Sequence, residues 1–233
     1  MTSVAKIIML HGRARSGKDT FADTVTSRYP SVMKVAFADK LKELVKDLVL
    51  WYRNVELCQY DFENKKSDPE IIEGLTIRTC LQEIGSMFRE CIYPQVWAIM
   101  ACNFFDNNPE IVSKVRERLA FIHEWMNEFF SVDKERPEWL IDFFGGICES
   151  KESSTIIFSD FRYPIEYQYV KERYGEASCV MIIRPEVDDE LSAVERSHSS
   201  ENALAEFKFD HTIVNNGPEY LEQVTQLWEV LMR

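Results

Sequence analysis

The sequence predicts an α/β protein: a parallel β-sheet flanked by helices, with a helical insertion in the middle of the chain. Three observations lead there. Short, apolar, β-branched runs alternate with amphipathic stretches at both ends of the sequence. The first of these runs is closed by a glycine loop that opens into a helix. Between about residues 52 and 150, strand-like runs give way to helical spacing. The 233 residues suit one such domain with its insertion, and a composition of 45% hydrophobic and 28% charged residues supports a sizeable core rather than disorder.

Val4 to Leu10 reads as a buried strand, and about Lys18 to Arg28 as a helix that Pro30 stops. Val32 to Ala38 is a second apolar stretch. Ala38 to Trp51 has helical spacing at Leu41, Leu44, Val45 and Leu48. Tyr52 to Gly74 is polar, broken by Asn64-Lys-Lys-Ser-Asp-Pro69, and reads as a long loop or lid. Helices are expected over Thr76 to Glu90, Pro94 to Phe105 and Pro109 to Phe130. The last of these places Ile111, Val115, Leu119, Ile122, Met126 and Phe129 on one face. A short helix and turn fit Arg136 to Glu149. The α/β rhythm returns with strands at Thr155 to Ser159, Ser178 to Arg184 and His211 to Val214, and with helices at Pro164 to Tyr174 and Pro218 to Met232. The five strands make a doubly wound sheet, and there is no internal repeat.

The net charge of -12 and pI of about 4.9 argue against broad binding to polymeric nucleic acid, while an acidic enzyme still binds anionic small molecules where a few Arg and Lys converge. The six cysteines, at 58, 80, 91, 102, 148 and 179, show no CxxC spacing and read as reduced, mostly buried thiols. The N-terminus reads as a strand rather than a signal peptide, and no apolar run approaches the ~20 residues of a membrane span. The expectation is a soluble, cytoplasmic protein with no membrane partner.

The chemistry concentrates in Gly12-Arg13-Ala14-Arg15-Ser16-Gly17-Lys18-Asp19-Thr20. Glycines allow the tight turn that aims N–H groups at phosphate oxygens, Lys18 neutralises them, and the following helix presents its positive end. A strand before and a helix after complete the context of a phosphate-binding loop. Asp19 stands where Ser or Thr ordinarily holds magnesium; a carboxylate suits that hard cation too, and Thr20 is placed for an α-phosphate. Arg15, beside the turn, is a candidate for charge developing during phosphoryl transfer.

Asp160 ends a strand, where open α/β sheets bind ligands; it is either a magnesium or substrate contact, or the N-cap of the next helix. Arg162 serves a phosphate or a surface ion pair. Arg78, Gln82 and Arg89 recur along one side of a predicted helix, as an acceptor phosphate and base edge would require, or as an ordinary polar face. Trp97 is core or the wall of an acceptor pocket. His11 reads as structural, and His198 lacks the partners of a nucleophilic triad.

These residues resemble the deoxynucleoside monophosphate kinases of tailed bacteriophages, within the P-loop kinases. Arg15-Ser-Gly-Lys-Asp-Thr20 looks like that family's phosphate loop, including the Asp after Lys. Ala36-Phe-Ala-Asp-Lys-Leu-Lys42 resembles the segment bordering the acceptor site. Arg78-Thr-Cys-Leu-Gln82-Glu-Ile-Gly85, followed by Trp97, is similar to the acceptor-facing helix. Ser159-Asp160-Phe-Arg162 with Glu166, Ile183-Arg184-Pro185, His198-Ser-Ser-Glu201 and Asn215-Asn216-Gly217 look like the family's C-terminal half. The resemblance implies a P-loop NTPase-like sheet and transfer of the ATP γ-phosphate to a dNMP with Mg, supplying phage DNA synthesis in the host cytoplasm. Lys18, Arg15, Asp160 and Arg162 would act at the reacting phosphates, with Asp19 and Asp160 toward Mg. Gly12, Arg13, Ala14, Ser16, Gly17, Asp19, Thr20 and Arg184 would bind ATP. Lys40, Arg78, Gln82, Arg89, Trp97 and Glu166 would bind the acceptor nucleotide.

Residues 106 to 150 match no motif of that family and suit an altered lid or a homodimer surface. Alternatives are a Gly-Lys-Asp kinase of another acceptor, such as a phosphomevalonate-like metabolite or a modified base in DNA, and a non-catalytic nucleotide-binding regulatory protein.

Overall fold

The computed structural model describes residues 6–13, 15–102, 109–145, 155–185 and 203–233. In chain order the elements are β1 (Lys6–His11), α1 (Lys18–Arg28), β2 (Val32–Val35), α2 (Phe37–Arg53), α3 (Gln59–Asn64), α4 (Ile77–Cys91), α5 (Val96–Cys102), α6 (Pro109–Phe129), α7 (Trp139–Gly145), β3 (Thr155–Phe158), α8 (Pro164–Tyr174), β4 (Ala177–Ile183), β5 (His211–Val214) and α9 (Tyr220–Leu231). They fall into two compact units, Met1–Phe37 with Lys151–Arg233, and Ala38–Ser150.

The first unit carries a five-stranded sheet in the order β2-β3-β1-β4-β5, with every neighbouring pair parallel. Alternation along the strands sorts side chains by face. Ile8, Leu10, Ile157, Val180 and Ile182 pack in one cluster with Phe21, Ala22 and Val25 of α1 and Val224, Leu227, Trp228 and Leu231 of α9. The intervening Ile7, Met9, Ile156, Phe158 and Cys179 are buried as well. A central strand buried on both faces reads as a continuous apolar run, which is why β1 and β3 stood out in the sequence. The chain leaves β1 toward β2 but leaves β3 toward β4, on the other side of β1. The connections of two adjacent strands thus diverge, and at their carboxyl ends an open α/β sheet has its crevice.

The second unit is helical. It begins at Ala38, and the apolar stripe Leu41, Leu44, Val45, Leu48 and Val49 of α2 is buried. Two expectations are corrected. Tyr52 to Gly74 is not all loop: α3 forms within it, its first turn closed by Asp61, whose Oδ2 accepts the Cys58 N–H at 2.9 Å. On α6, Ile111, Val115, Leu119, Ile122 and Met126 are buried as expected, but Phe130 rather than Phe129 completes the face. The helix ends at Phe129, Ser131 turns at φ 52, and Phe130 stacks on Tyr52 at 5.0 Å. Among the described residues, no helix is long and apolar enough to cross a membrane.

Candidate functional site

The loop after β1 is held from outside through its carbonyls. Asn215 Nδ2, just past β5, donates to Ser16 O at 2.9 Å, and Tyr220 Oη, at the start of α9, donates to Gly17 O at 2.9 Å. Arg184 Nη1 reaches Arg15 O at 3.4 Å. In a trans peptide the N–H lies opposite the carbonyl. Fixing the carbonyls of Ser16 and Gly17 therefore turns the amides of Gly17 and Lys18 to the other side. Gly17 has φ 108, and a Cβ there would lie 2.7 Å from Asn215 Nδ2 and 3.0 Å from the Tyr220 ring, so neither the backbone nor the cradle accepts a side chain. A Cβ on Gly12 would collide with the Ile182 carbonyl oxygen and Ser16 Oγ. Arg15 takes φ 62, a conformation uncommon for a residue with a side chain and often found at functional turns.

Inside the loop, Lys18 is buried and its Nζ donates to Gly12 O at 2.5 Å and Arg13 O at 2.7 Å. Ser16 N–H bonds Arg13 O at 3.1 Å, while Ser16 Oγ is buried with no hydrogen-bond partner. The first turn of α1 begins at Lys18 without a side-chain cap. A buried ammonium folded onto neutral carbonyls, an orphaned hydroxyl and an uncapped helix N-terminus in one loop make a setting that suits an anion of several oxygens. Asp19 and Thr20 are exposed, and Asp19 Oδ1 pairs with Lys34 at 2.8 Å. Ala14, His198 and the Ser197–Glu201 segment lie outside the described residues.

The loop after β3 is strapped to both neighbouring strands. Ser159 N–H bonds Val35 O at 2.9 Å, and Phe161 N–H bonds Leu10 O at 3.0 Å. His11 is structural, as expected: its Nδ1–H donates to Phe161 O at 2.8 Å and its ring stacks on Phe209 at 5.3 Å. Asp160 Oδ1 accepts the Phe37 N–H at 2.6 Å, so it caps the start of α2 and not the helix that follows it. That following helix is capped by Glu166, buried, whose Oε2 accepts the N–H groups of Arg162 at 2.8 Å and Tyr163 at 3.0 Å. Glu166, expected as an acceptor contact, serves here as a helix cap through Oε2, with Pro164 opening the same turn. The Arg162 side chain is half-buried beside it.

In the helical unit, Arg78, Gln82 and Arg89 do share one side of α4, together with Gly85. Arg78 N–H bonds Lys66 O at 2.9 Å, and its Nε reaches Ser67 Oγ at 3.3 Å, which ties the start of α4 to the segment before it. Gly85 leaves the strip flat: a Cβ there would meet Leu41 Cδ2 at 2.9 Å and Arg89 Nη1 at 3.6 Å. Of the two readings of Trp97, core packing holds. The ring is 2% exposed, its Nε1–H donates to Gly85 O at 3.1 Å, and it meets Phe88 edge-on at 5.9 Å. Lys40 is engaged with Glu43 at 2.6 Å.

Asn215, Tyr220 and Lys34 shape the loop site without having been given a role from sequence. For Asn215 a signal existed, since a polar residue just past the carboxyl end of a strand lies on the ligand side of such a sheet. Among the described residues no group of three or more His, Cys, Asp or Glu side chains gathers as a metal cage. Magnesium bound along with phosphates asks for only one or two carboxylates. No protein-family model and no curated protein matches the chain.

Proposed function

We propose that the chain is an ATP-dependent kinase of deoxynucleoside monophosphates, with the fold of the P-loop kinases. The observation that carries this reading is Lys18: a buried ammonium parked on Gly12 O and Arg13 O, in a loop whose outer carbonyls Asn215 and Tyr220 hold. Carbonyls are weak, neutral partners for a buried charge, and phosphate oxygens are stronger ones. On nucleotide binding Lys18 exchanges the carbonyls for β- and γ-phosphate oxygens, Ser16 Oγ gains a partner, and the amides of Gly17 and Lys18 complete the cradle. Thr20 takes the α-phosphate, with Arg13 within the loop and Arg184 beside it adding charge.

Transfer joins an acceptor phosphate oxygen to the γ-phosphorus as the bond to the departing ADP oxygen breaks. Such a reaction calls for positioning and for cations where charge spreads. Arg15 and Arg162 supply that charge beside Lys18. Bound magnesium would neutralise phosphate oxygens, with Asp19 and Asp160 as the carboxylates that suit it. Arg78, Gln82 and Arg89 hold the acceptor by its phosphate and base edge, with Lys40 near the start of α2 adding charge; a planar guanidinium fork suits a phosphate dianion. Trp97 and Glu166 serve this site indirectly, by supporting Gly85 of α4 and by fixing the turn that carries Arg162.

A coupled assay of ADP release, run with each dNMP singly, tests the reading. ADP formation should rise with at least one dNMP; a rate that no dNMP increases refutes it.

A further inference from the structure

The two carbonyls gripped from behind the loop are not equally secured. Gly17 O already accepts the Phe21 N–H at 2.9 Å, where α1 begins, so the Tyr220 hydroxyl is a second partner for it. Ser16 O lies one residue before that ladder. Among the described residues its one hydrogen bond comes from Asn215 Nδ2, at 2.9 Å. Ser16 N–H, bonded to Arg13 O at 3.1 Å, fixes the peptide before this one. The Ser16–Gly17 peptide is therefore held at its carbonyl by a single side chain. Backbone preference does not replace that hold. Gly17 sits at φ 108, and turning the peptide over would carry it to a negative φ, which glycine occupies as readily. Asn215 is itself well anchored: its N–H bonds Ile183 O at 2.7 Å, and its Oδ1 accepts the Gly217 N–H at 3.2 Å, which leaves Nδ2 to face Ser16.

The N–H of Gly17 points opposite the Ser16 carbonyl, so whatever holds that oxygen decides whether the N–H faces an anion. We infer that Asn215 is a positioning residue that keeps the Ser16–Gly17 peptide in its phosphate-receiving orientation, with Tyr220 a secondary support. This rests on the phosphate-site reading and deepens it. Without the Asn215 donor, part of the population turns the Gly17 N–H away, and affinity for phosphates falls with the fraction that stays competent. The effect runs through a backbone amide and not through a base or an acceptor, so inorganic tripolyphosphate is a sufficient probe. Two substitutions separate the loop from the turn after β5. Asn215→Ala removes both side-chain bonds. Asn215→Asp keeps an oxygen for the Gly217 N–H and loses only the donor to Ser16 O.

The test titrates tripolyphosphate by calorimetry into the full-length wild type, Asn215→Ala, Asn215→Asp and Tyr220→Phe, with a thermal melt of each and the amide nitrogen resonance of Gly17 followed by NMR. The expected result is binding weaker by about tenfold or more in both Asn215 variants, the scale of one hydrogen bond to a charged group, and by about threefold or less in Tyr220→Phe. In free Asn215→Ala the Gly17 resonance should be displaced from its wild-type position and return toward it at saturation. A purely structural turn lowers the melting temperature of Asn215→Ala and leaves affinity and resonance in place. That outcome, wild-type affinity in Asn215→Asp, or equal weakening by Tyr220→Phe overturns the assignment to Asn215 while phosphate binding stands. Absence of tripolyphosphate binding by the wild type overturns it together with the phosphate site beneath it.

Discussion

The loop at residues 12–17 and the strip Arg78, Gln82 and Arg89 on α4 are built by opposite means. The loop is a backbone device: its amides are aimed by side chains that grip the carbonyls from behind, and glycine is required at position 17 by both φ and space. The strip is a side-chain device on a regular helix, where Gly85 serves only to keep the surface low. A site made of backbone tolerates few sequences, whereas a site made of side chains at helical spacing looks like any polar helix face. The two should therefore answer differently to substitution.

The largest difference is expected at Lys18. Lys18→Ala should cut phosphoryl transfer about a thousandfold, the scale of losing one preorganised charge-stabilising group. Its melting temperature should fall by only a few degrees, because the bonds lost with the buried ammonium are offset by the desolvation it no longer imposes. Wild-type turnover in that variant breaks the comparison outright.

Next come the two glycines. Gly17→Ala forces a side chain into a positive-φ position against Asn215 and Tyr220. It should cost about 2–3 kcal/mol in urea unfolding. Gly85→Ala crowds the tip of Leu41, touches Arg89 at ordinary contact distance, and gains helix propensity of about 1 kcal/mol. Its stability should stay within about 1 kcal/mol of wild type, and equal losses at both glycines would erase the distinction drawn here.

Arg78→Ala sharpens the contrast in kinetics. It should raise the KM for the dNMP about tenfold or more, from a lost charge-assisted hydrogen bond, while the KM for ATP stays unchanged. A matching rise in both constants would remove the acceptor role from α4.

The smallest effect concerns pH and touches both units alike. Burial pushes the thiols of Cys80 and Cys179 up to about 12. In the unfolded chain they ionise near the ordinary thiol range, so between the two values the folded state binds more protons than the unfolded one. Stability is then complete below about pH 8.5 and declines as the pH rises toward 12. Urea midpoints taken from pH 7 upward check this.

The sheet was legible because β1 and β3 are buried on both faces and so appear as uninterrupted apolar runs, and α6 because its apolar positions repeat at helical spacing. At the site, glycine and lysine spacing pointed to the loop. Glu166 escaped because a buried carboxylate capping backbone amides and one awaiting a ligand have the same sequence signature. Tyr220 escaped because its bond to Gly17 O spans most of the chain, and local pattern carries no such information.

The central claim is that the loop delivers phosphate to an acceptor, not merely that it holds ATP. Incubation with ATP labelled at the γ-phosphate and each dNMP, followed by chromatographic separation, addresses it directly. The account predicts label in the corresponding dNDP, lost in Lys18→Ala. Label that stays in ATP, or appears only as inorganic phosphate with every dNMP, would contradict it.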